Sequence, residues 1–272
     1  RLPARVRIRA AAALEMPHIM VFYSDPDDAI FRDAQAAASE TLYDFDLMSG
    51  GGHVRGLRVV GADADALAAH LCATGVGMDS AHPMRFAIAD GNHSLAAARL
   101  CWLEKKQSLT PEQAAVDPAR YALVELVNLH SPAVTIEPIH RVLFGTDASK
   151  WMQAAEAALA SADGSGYAIS LIAGNQRRDI LAKGASLGEA IAAMDAFCAA
   201  YLAENGGTVD YIHGDDEALD LAASDGCCGI LMPRMDKTEL FTSVLRSGPF
   251  PKKSFSIGLG ADKRYYLECR KL

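Results

Sequence analysis

The sequence predicts a mixed α/β protein built from two halves, and two observations lead to that prediction. Apolar, strand-like runs alternate with alanine-rich helical segments along the chain, which is typical of sheets covered by helices. The rhythm changes near residue 147, after which strands and helices alternate more regularly. We therefore expect domains at residues 1–146 and 147–272 with mixed, partly parallel sheets, and a C-terminal tail that returns to the first site.

Composition excludes several classes of protein. The chain has 272 residues, half of them hydrophobic, which is enough for a sizeable core. A formal net charge of −8 disfavours nucleic acid and anionic membranes, and no apolar run reaches the ~18 residues of a membrane span. The six cysteines form no C-x-x-C pair, which favours reduced thiols in a cytoplasmic protein. We expect a small-molecule substrate, no nucleic-acid or membrane partner, and leave a homo-oligomer open.

The first elements follow from local patterns. The opening segment alternates Val6 and Ile8 with arginines, which predicts a strand already under way in a longer parent protein. A buried strand is expected over residues 18–25, followed by a helix that begins at an acidic Asp-Pro-Asp-Asp step. The glycines at 50–52 separate two strand-like pieces and predict a hairpin.

The most informative stretch is RFAIADGNHSLAAARLCWLE, in which a strand runs directly into a helix. A helix N-terminus has unpaired N–H groups and a partial positive charge, and a preceding glycine lets a ligand approach the backbone. Gly91, Asn92 and Ser94 are thus candidate phosphate-binding residues. Asp90 is either a candidate metal ligand or a residue that orients His93, and both are candidate catalytic residues. The alternative is that Asp and Asn here are ordinary helix caps.

A second cluster lies in the strand-like segment VTIEPIHRV. We interpret Glu137 and His140 as candidate catalytic acid or base groups and Arg141 as an anion-binding residue. Asn128 and His130, on the preceding strand, are expected to face the same cleft. The alternative is that Glu137 and Arg141 form a structural ion pair on one face of a sheet.

The C-terminal tail concentrates positive charge in an acidic chain. Lys253, Lys263 and Arg264 lie among serines and glycines in PKKSFSIGLGADKRYY, and this pattern predicts contacts with an anionic ligand. The alternative is a solvated basic loop, which spacing alone favours.

Three segments together resemble the DUF1015 family of uncharacterised bacterial and archaeal proteins: AIADGNHSLAAA, LVELVNLHSPAVTIEPIHRVLF and PFPKKSFSIGLGADKRYYLECRK. The ADG-x-H step in turn resembles the turn of the ParB/sulfiredoxin-like fold, whose members include a free-serine kinase. This resemblance implies a nucleotide-binding first half, ATP or ADP as cofactor, and Mg²⁺. The chain departs from that turn at Ser94, where arginine is common.

The leading hypothesis is a nucleotide-dependent phosphotransferase that acts on a small metabolite. Two alternatives are a nucleotide-responsive binding module without turnover and a metal-dependent phosphohydrolase. All three rest on analogy between folds, so they require a test at the level of the site.

Overall fold

The structure, a computed structural model, describes residues 2–16, 19–77, 82–258 and 266–272. The chain divides into two compact units, one comprising Arg1–Pro132 with Ala261–Leu272 and the other Ala133–Gly260. This division differs from the boundary expected at 146/147, because the strand Ile136–Phe144 pairs within the sheet of the second unit.

The described helices and strands follow in chain order. The helices are α1 (Leu2–Ala10), α2 (Ala29–Ala36), α3 (Gly61–Ala73), α4 (Asn92–Lys105), α5 (Pro111–Val116), α6 (Ala148–Leu159), α7 (Leu187–Asn205), α8 (Asp215–Ala222) and α9 (Leu240–Ser247). The strands are β1 (Leu14–Glu15), β2 (Met20–Tyr23), β3 (Glu40–Asp46), β4 (His53–Arg58), β5 (Ala87–Asp90), β6 (Glu125–Asn128), β7 (Ile136–Phe144), β8 (Tyr167–Ala173), β9 (Gln176–Ala182), β10 (Thr208–His213), β11 (Cys227–Leu231), β12 (Phe255–Ile257) and β13 (Arg270–Lys271). The mixed α/β class with several sheets is confirmed.

The first unit is built around a three-stranded sheet in the order β5-β2-β6. The central strand β2 runs antiparallel to β5 and parallel to β6, as expected for a mixed sheet. Its Phe22 and the preceding Ile19 are fully buried. The hairpin predicted around the three glycines is formed by β3 and β4, and the tail returns to this unit because β13 pairs with β1.

The opening segment is a helix, so the prediction of a strand there was wrong. Leu2, Val6 and Arg9 are its half-buried residues, a spacing of four and three that matches one helical face. That face packs against α4. The alternation of Val6 and Ile8 misled because Ile8 is exposed rather than buried.

The second unit contains a six-stranded sheet in the order β10-β7-β11-β8-β9, with β12 also paired to β7. Helices α6 and α7 cover one face, where Trp151, Met152 and Met194 are buried against Leu143 and Leu171. Helix α8 covers part of the other face through Ala218 and Ala222.

Parallel pairing was expected from the alternation in this half, yet every strand pair described in the second unit is antiparallel. The reason lies in β8 and β9, which form a direct hairpin across Gly174 and Asn175. Because the hairpin reverses the chain direction without a crossover helix, the later strands β10 and β11 run antiparallel to the strands that they pair with.

A pair of glycine substitutions tests the packing of α8 on the sheet. A Cβ at Gly229 would lie 2.8 Å from the Ala222 Cβ and 3.0 Å from the Arg141 carbonyl oxygen, so Gly229→Ala should cost about 1–3 kcal/mol. In α7, a Cβ at Gly188 would meet only ordinary contacts at 3.7 Å or more, and Gly188→Ala should stabilise by up to about 1 kcal/mol. Urea unfolding measures the free energy of unfolding of both variants. Equal changes for Gly229→Ala and Gly188→Ala would contradict the close approach of α8 to the sheet.

Candidate functional site

The turn between β5 and α4 has the backbone that its sequence predicts. Gly91 adopts φ 83° and ψ 13°, a left-handed conformation that favours glycine, and α4 begins at the next residue. The Asp90 carboxylate accepts a hydrogen bond of 2.7 Å from the Gly91 N–H. The chain therefore enters the helix through a tight, fixed turn.

The first backbone N–H groups of α4 face solvent. The N–H groups of Ser94 and Leu95 donate to the Gly91 carbonyl oxygen at 2.9 and 3.0 Å. Those of Asn92 and His93 have no acceptor in the described parts of the chain, and both residues are exposed. This is the open helix N-terminus that an anion requires.

A guanidinium lies beside this helix start, and the sequence interpretation missed it. Arg5, on α1, donates from Nη1 to the Ser94 Oγ at 3.3 Å. Ser94 is the position at which the resembling turn commonly has arginine, so α1 supplies a cation next to that position. No local sequence pattern indicates this contact, because residues 5 and 94 meet only through the packing of two helices.

Asp90 was also predicted to bind a metal ion. No group of three or more His, Cys, Asp or Glu side chains is placed to hold a metal ion in the residues that the structure describes. A single carboxylate can still contribute to Mg²⁺ binding when phosphate oxygens and water complete the shell. The exposed Asp90 fits that limited role.

In the second unit, His140 is buried and both of its ring nitrogens are engaged. Nδ1 accepts the backbone N–H of Met232 at 3.0 Å, so Nε2 must carry the proton that it shares with Asp215 Oδ1 at 3.0 Å. Burial lowers the pKa of His140, and the Asp215 carboxylate only partly offsets that effect. The ring is therefore a neutral, fixed group, and a proton-transfer role would require one of its bonds to break.

Asp215 joins this histidine to an exposed arginine. Arg234 donates from Nη2 to Asp215 Oδ2 at 2.8 Å, while its Nη1 lies 3.5 Å from Glu137 Oε2. Hydrogen bonds from Arg234 and then His140 lower the pKa of Asp215. The predicted Glu137 and His140 are thus linked through two residues that sequence analysis did not single out.

An open groove of about 740 Å³ runs along the same sheet face and is lined in part by residues of β8 and β9. Asp215 and Arg234 line one part of it, and Ser170, Arg177 and Asp179 line another. Asp215 is the first residue of α8 and is followed by Asp216 and Glu217, and acidic residues are favourable in the first turn of any helix.

Arg141 was predicted to bind an anionic ligand, and its geometry does not accommodate that role. The side chain is fully buried, with Nε and Nη2 bound to the two Asp195 oxygens at 2.8 and 3.2 Å. Nη1 donates to the carbonyl oxygens of Ile139 and Lys253. These contacts make Arg141 a structural residue that ties β7 to α7 and to the segment before β12.

The remaining predicted residues are distributed as follows. Lys253 is exposed, and its ammonium lies 4.6 Å from the centroid of the Tyr211 ring, which also faces Arg141 at 4.9 Å. Lys263 and Arg264 lie outside the described residues, as does His18 at the start of the predicted strand. Asn128 lies in β6 and His130 just after it, in the first unit. Glu137 and His140 lie in β7, in the second unit. The strand β6 pairs with β2 and not with β7, so the pairing expected between these two segments is not formed.

Fold and sites together define a two-unit mixed α/β protein with a solvent-open helix start in one unit and, in the other, a buried histidine linked through a carboxylate to an exposed arginine. The chain belongs to the DUF1015 family, described as a protein of unknown function, whose profile matches residues 1–271. No curated protein matches the chain. The described residues include no helix with the length and apolarity needed to cross a bilayer.

Three solved structures share a distant likeness. A conserved hypothetical protein from Pyrococcus furiosus is 11% identical, with a TM-score of 0.44, over 100% of this chain and 88% of that one. A free serine kinase mutant in complex with AMP is 12% identical, with a TM-score of 0.46, over 95% and 79%. The same kinase in complex with ADP is 12% identical, with a TM-score of 0.42, over 88% and 84%. Likeness at this level does not transfer a ligand or an activity to this chain.

The structural role of Arg141 can be separated from that of a surface arginine. Arg141→Ala leaves Asp195 and two carbonyl oxygens without their donor, which should cost about 3–5 kcal/mol. Arg177→Ala removes an exposed pair with Asp179 on β9 of the same sheet and should cost about 0–1 kcal/mol. Chemical denaturation measures both, and a cost for Arg141→Ala as small as that for Arg177→Ala would contradict the assignment.

The buried His140 predicts a pH dependence of stability. Because its pKa is lowered on folding, the unfolded chain binds the proton more readily, so stability is complete above the ordinary value of about 6.5 and falls as the pH drops below it. The slope should approach about 1.4 kcal/mol per pH unit relative to His140→Gln, which lacks the titrating ring. The carboxylates of Asp46 and Asp44 raise the pKa of the exposed His53, which changes stability with pH in the opposite direction. Because both proteins contain His53, its contribution cancels when the wild type is compared with His140→Gln. The measurement is the free energy of unfolding of both proteins between pH 7 and pH 5. An equal change in the two proteins over that range would refute this account.

Proposed function

We propose that the protein is a nucleotide-dependent phosphotransferase that acts on a small metabolite and holds the phosphates of ATP or ADP at the N-terminus of α4. The observation that carries the proposal is the pair of solvent-facing N–H groups of Asn92 and His93, placed after the left-handed Gly91. A helix N-terminus carries roughly half a positive charge, and unpaired N–H groups there bind phosphate oxygens directly.

Neighbouring side chains add to this anion site. The Arg5 guanidinium is exposed and spends one N–H on the neutral Ser94 hydroxyl. Its other N–H groups have no acceptor among the residues that the structure describes, so they remain available to a phosphate. Two positive groups, the helix end and Arg5, therefore lie side by side, an arrangement that an anion would stabilise.

The proposed transfer assigns roles to the turn. A hydroxyl oxygen of the acceptor attacks the terminal phosphorus, its proton passes to His93, and the bridging oxygen leaves with the shortened nucleotide. Mg²⁺, when bound, would neutralise phosphate charge, and Asp90 is the described carboxylate that would hold it. Glu137 and His140 belong to the other unit and stay candidate catalytic residues, whereas Arg141 has no place in the proposed site.

A second candidate, a nucleotide-responsive binding module without turnover, is favoured by a specific observation. Both ring nitrogens of His140 are engaged, which leaves His93 as the main candidate base of the described site residues. A metal-dependent phosphohydrolase has no comparable support in the described side chains.

A charge introduced at the helix start tests the binding site. Asn92→Asp should stabilise the protein by about 0.3–1 kcal/mol through the helix dipole and should weaken binding of Mg²⁺-ADP and AMP, because a carboxylate would occupy the field that attracts phosphate. Titration calorimetry measures binding, and saturation at one hundred times Kd should stabilise the wild type by about 2.7 kcal/mol.

The matched control is Gln113→Glu, which adds the same charge to the first turn of α5 within an existing capping box. It should leave nucleotide binding unchanged. Absence of binding of ATP, ADP and AMP to the wild type, with and without Mg²⁺, would refute both candidates. If a nucleotide binds, transfer of label from terminally labelled ATP or ADP to an amino-acid mixture separates the enzyme from the binding module.

A further inference from the structure

A serine hydroxyl and an imidazole meet at the end of the first-unit sheet opposite to the Gly91 turn. Ser24 follows β2 and His130 lies two residues after β6, and Ser24 Oγ is 2.9 Å from His130 Nε2. These two strands are parallel, so both residues leave the sheet at its carboxyl edge. Asp90 pairs with Met20 at the other end of β2, which separates this pair from the proposed phosphate site.

The relative position of the two side chains is fixed by Asn128. Its Oδ1 accepts the backbone N–H groups of Asp25 and His130, each at 3.2 Å. Its Nδ2 donates to the Asp25 carbonyl oxygen at 2.8 Å and to Asp28 Oδ1 at 2.9 Å. Because Asn128 is buried and bonds the backbone of Asp25, next to Ser24, and of His130 itself, the positions of Ser24 and His130 are held by the backbone.

The contact has the geometry of a nucleophile and its base. A neutral imidazole that carries its proton on Nδ1 accepts the serine proton at Nε2, and Nδ1 has no acceptor in the part of the chain that the structure describes. Both residues are half-buried, so the hydroxyl is partly screened from water yet still reachable.

We propose that Ser24 is a nucleophile activated by His130 and that it accepts an acyl group from an ester. The Ser24 oxygen forms a bond to the carbonyl carbon while its proton moves to His130 Nε2. The bond from that carbon to the leaving oxygen then breaks, and the leaving alkoxide takes the proton from Nε2, which restores the neutral imidazole.

Neighbouring charge selects the kind of ester. The carboxylate of Asp25, directly after Ser24, is buried and accepts the Ile30 N–H at 2.8 Å, and Asp28 Oδ1 binds Asn128. Burial, and after it the negative charge of Asp28 and Asp25, raises the pKa of the adjacent Tyr23. An anionic substrate would be repelled there, so the site favours neutral or cationic acyl donors.

The test uses phenylmethylsulfonyl fluoride, a neutral reagent whose sulfur bonds to an activated serine oxygen as fluoride leaves. Intact-mass and peptide mass spectrometry of the full chain should show one adduct, located on Ser24, and none at this position in Ser24→Ala. His130→Gln and His130→Asn should be labelled about 100-fold more slowly, because the base is lost. Circular dichroism identifies which of the two variants keeps the fold, and the rate is read from that variant.

The matched control is Ser39→Ala. Ser39 is more exposed than Ser24, but its hydroxyl donates to the Arg58 carbonyl oxygen and has no imidazole partner among the described residues. Its removal should leave the labelling unchanged, which distinguishes activation from simple exposure. A wild type without an adduct on Ser24, or folded His130 variants labelled as fast as the wild type, would overturn the proposal. Neither result depends on nucleotide binding at α4.

Discussion

The start of α4 depends on one constraint, namely that a helix leaves its first N–H groups without partners from its own backbone. Many helices satisfy these groups with a side-chain cap, as Ser186 does for α7 and Asp147 for α6. At α4 the N-cap is Gly91, which has no side chain to offer, and Asp90 bonds back to Gly91 instead. The turn therefore leaves donors available to solvent, whereas α5, α6 and α7 each use one of theirs for a side-chain cap.

The second unit shows the opposite use of polar groups. His140, Arg141 and their partners bond mainly to one another and to the backbone, and the two residues are nearly or fully buried. Buried polar groups are tolerated when every donor and acceptor is paired, and they then fix one arrangement of the surrounding strands. The predicted residues of this unit thus contribute to the order of the sheet, and Arg234 brings an exposed charge to its groove.

Local patterns in the sequence predicted the local features. The β5–Gly91–α4 turn, the β3–β4 hairpin and the helix after the acidic step at 25–28 each depend on neighbouring residues, and each is present. The side-chain contacts that depend on distant residues were not predicted. Arg5 reaches Ser94 only because α1 packs on α4, Arg141 is buried by a helix more than fifty positions away, and Ser24 meets His130 across two parallel strands. Hydrophobic periodicity carries no information about such pairings, and in α1 a short alternation even suggested the wrong element.

The edge of the second-unit sheet has a consequence for association between copies of the chain. Strand β9 ends the sheet, and an edge strand offers unpaired backbone groups on which another strand can add. Three consecutive charged residues of that strand, Arg177, Arg178 and Asp179, are exposed. The C-terminal end of the strand already has a partner, since the Ser161 N–H donates to the Leu181 carbonyl oxygen. A neighbouring molecule that tried to extend the sheet would have to desolvate three charges, so this edge resists the stacking that leads to fibrils.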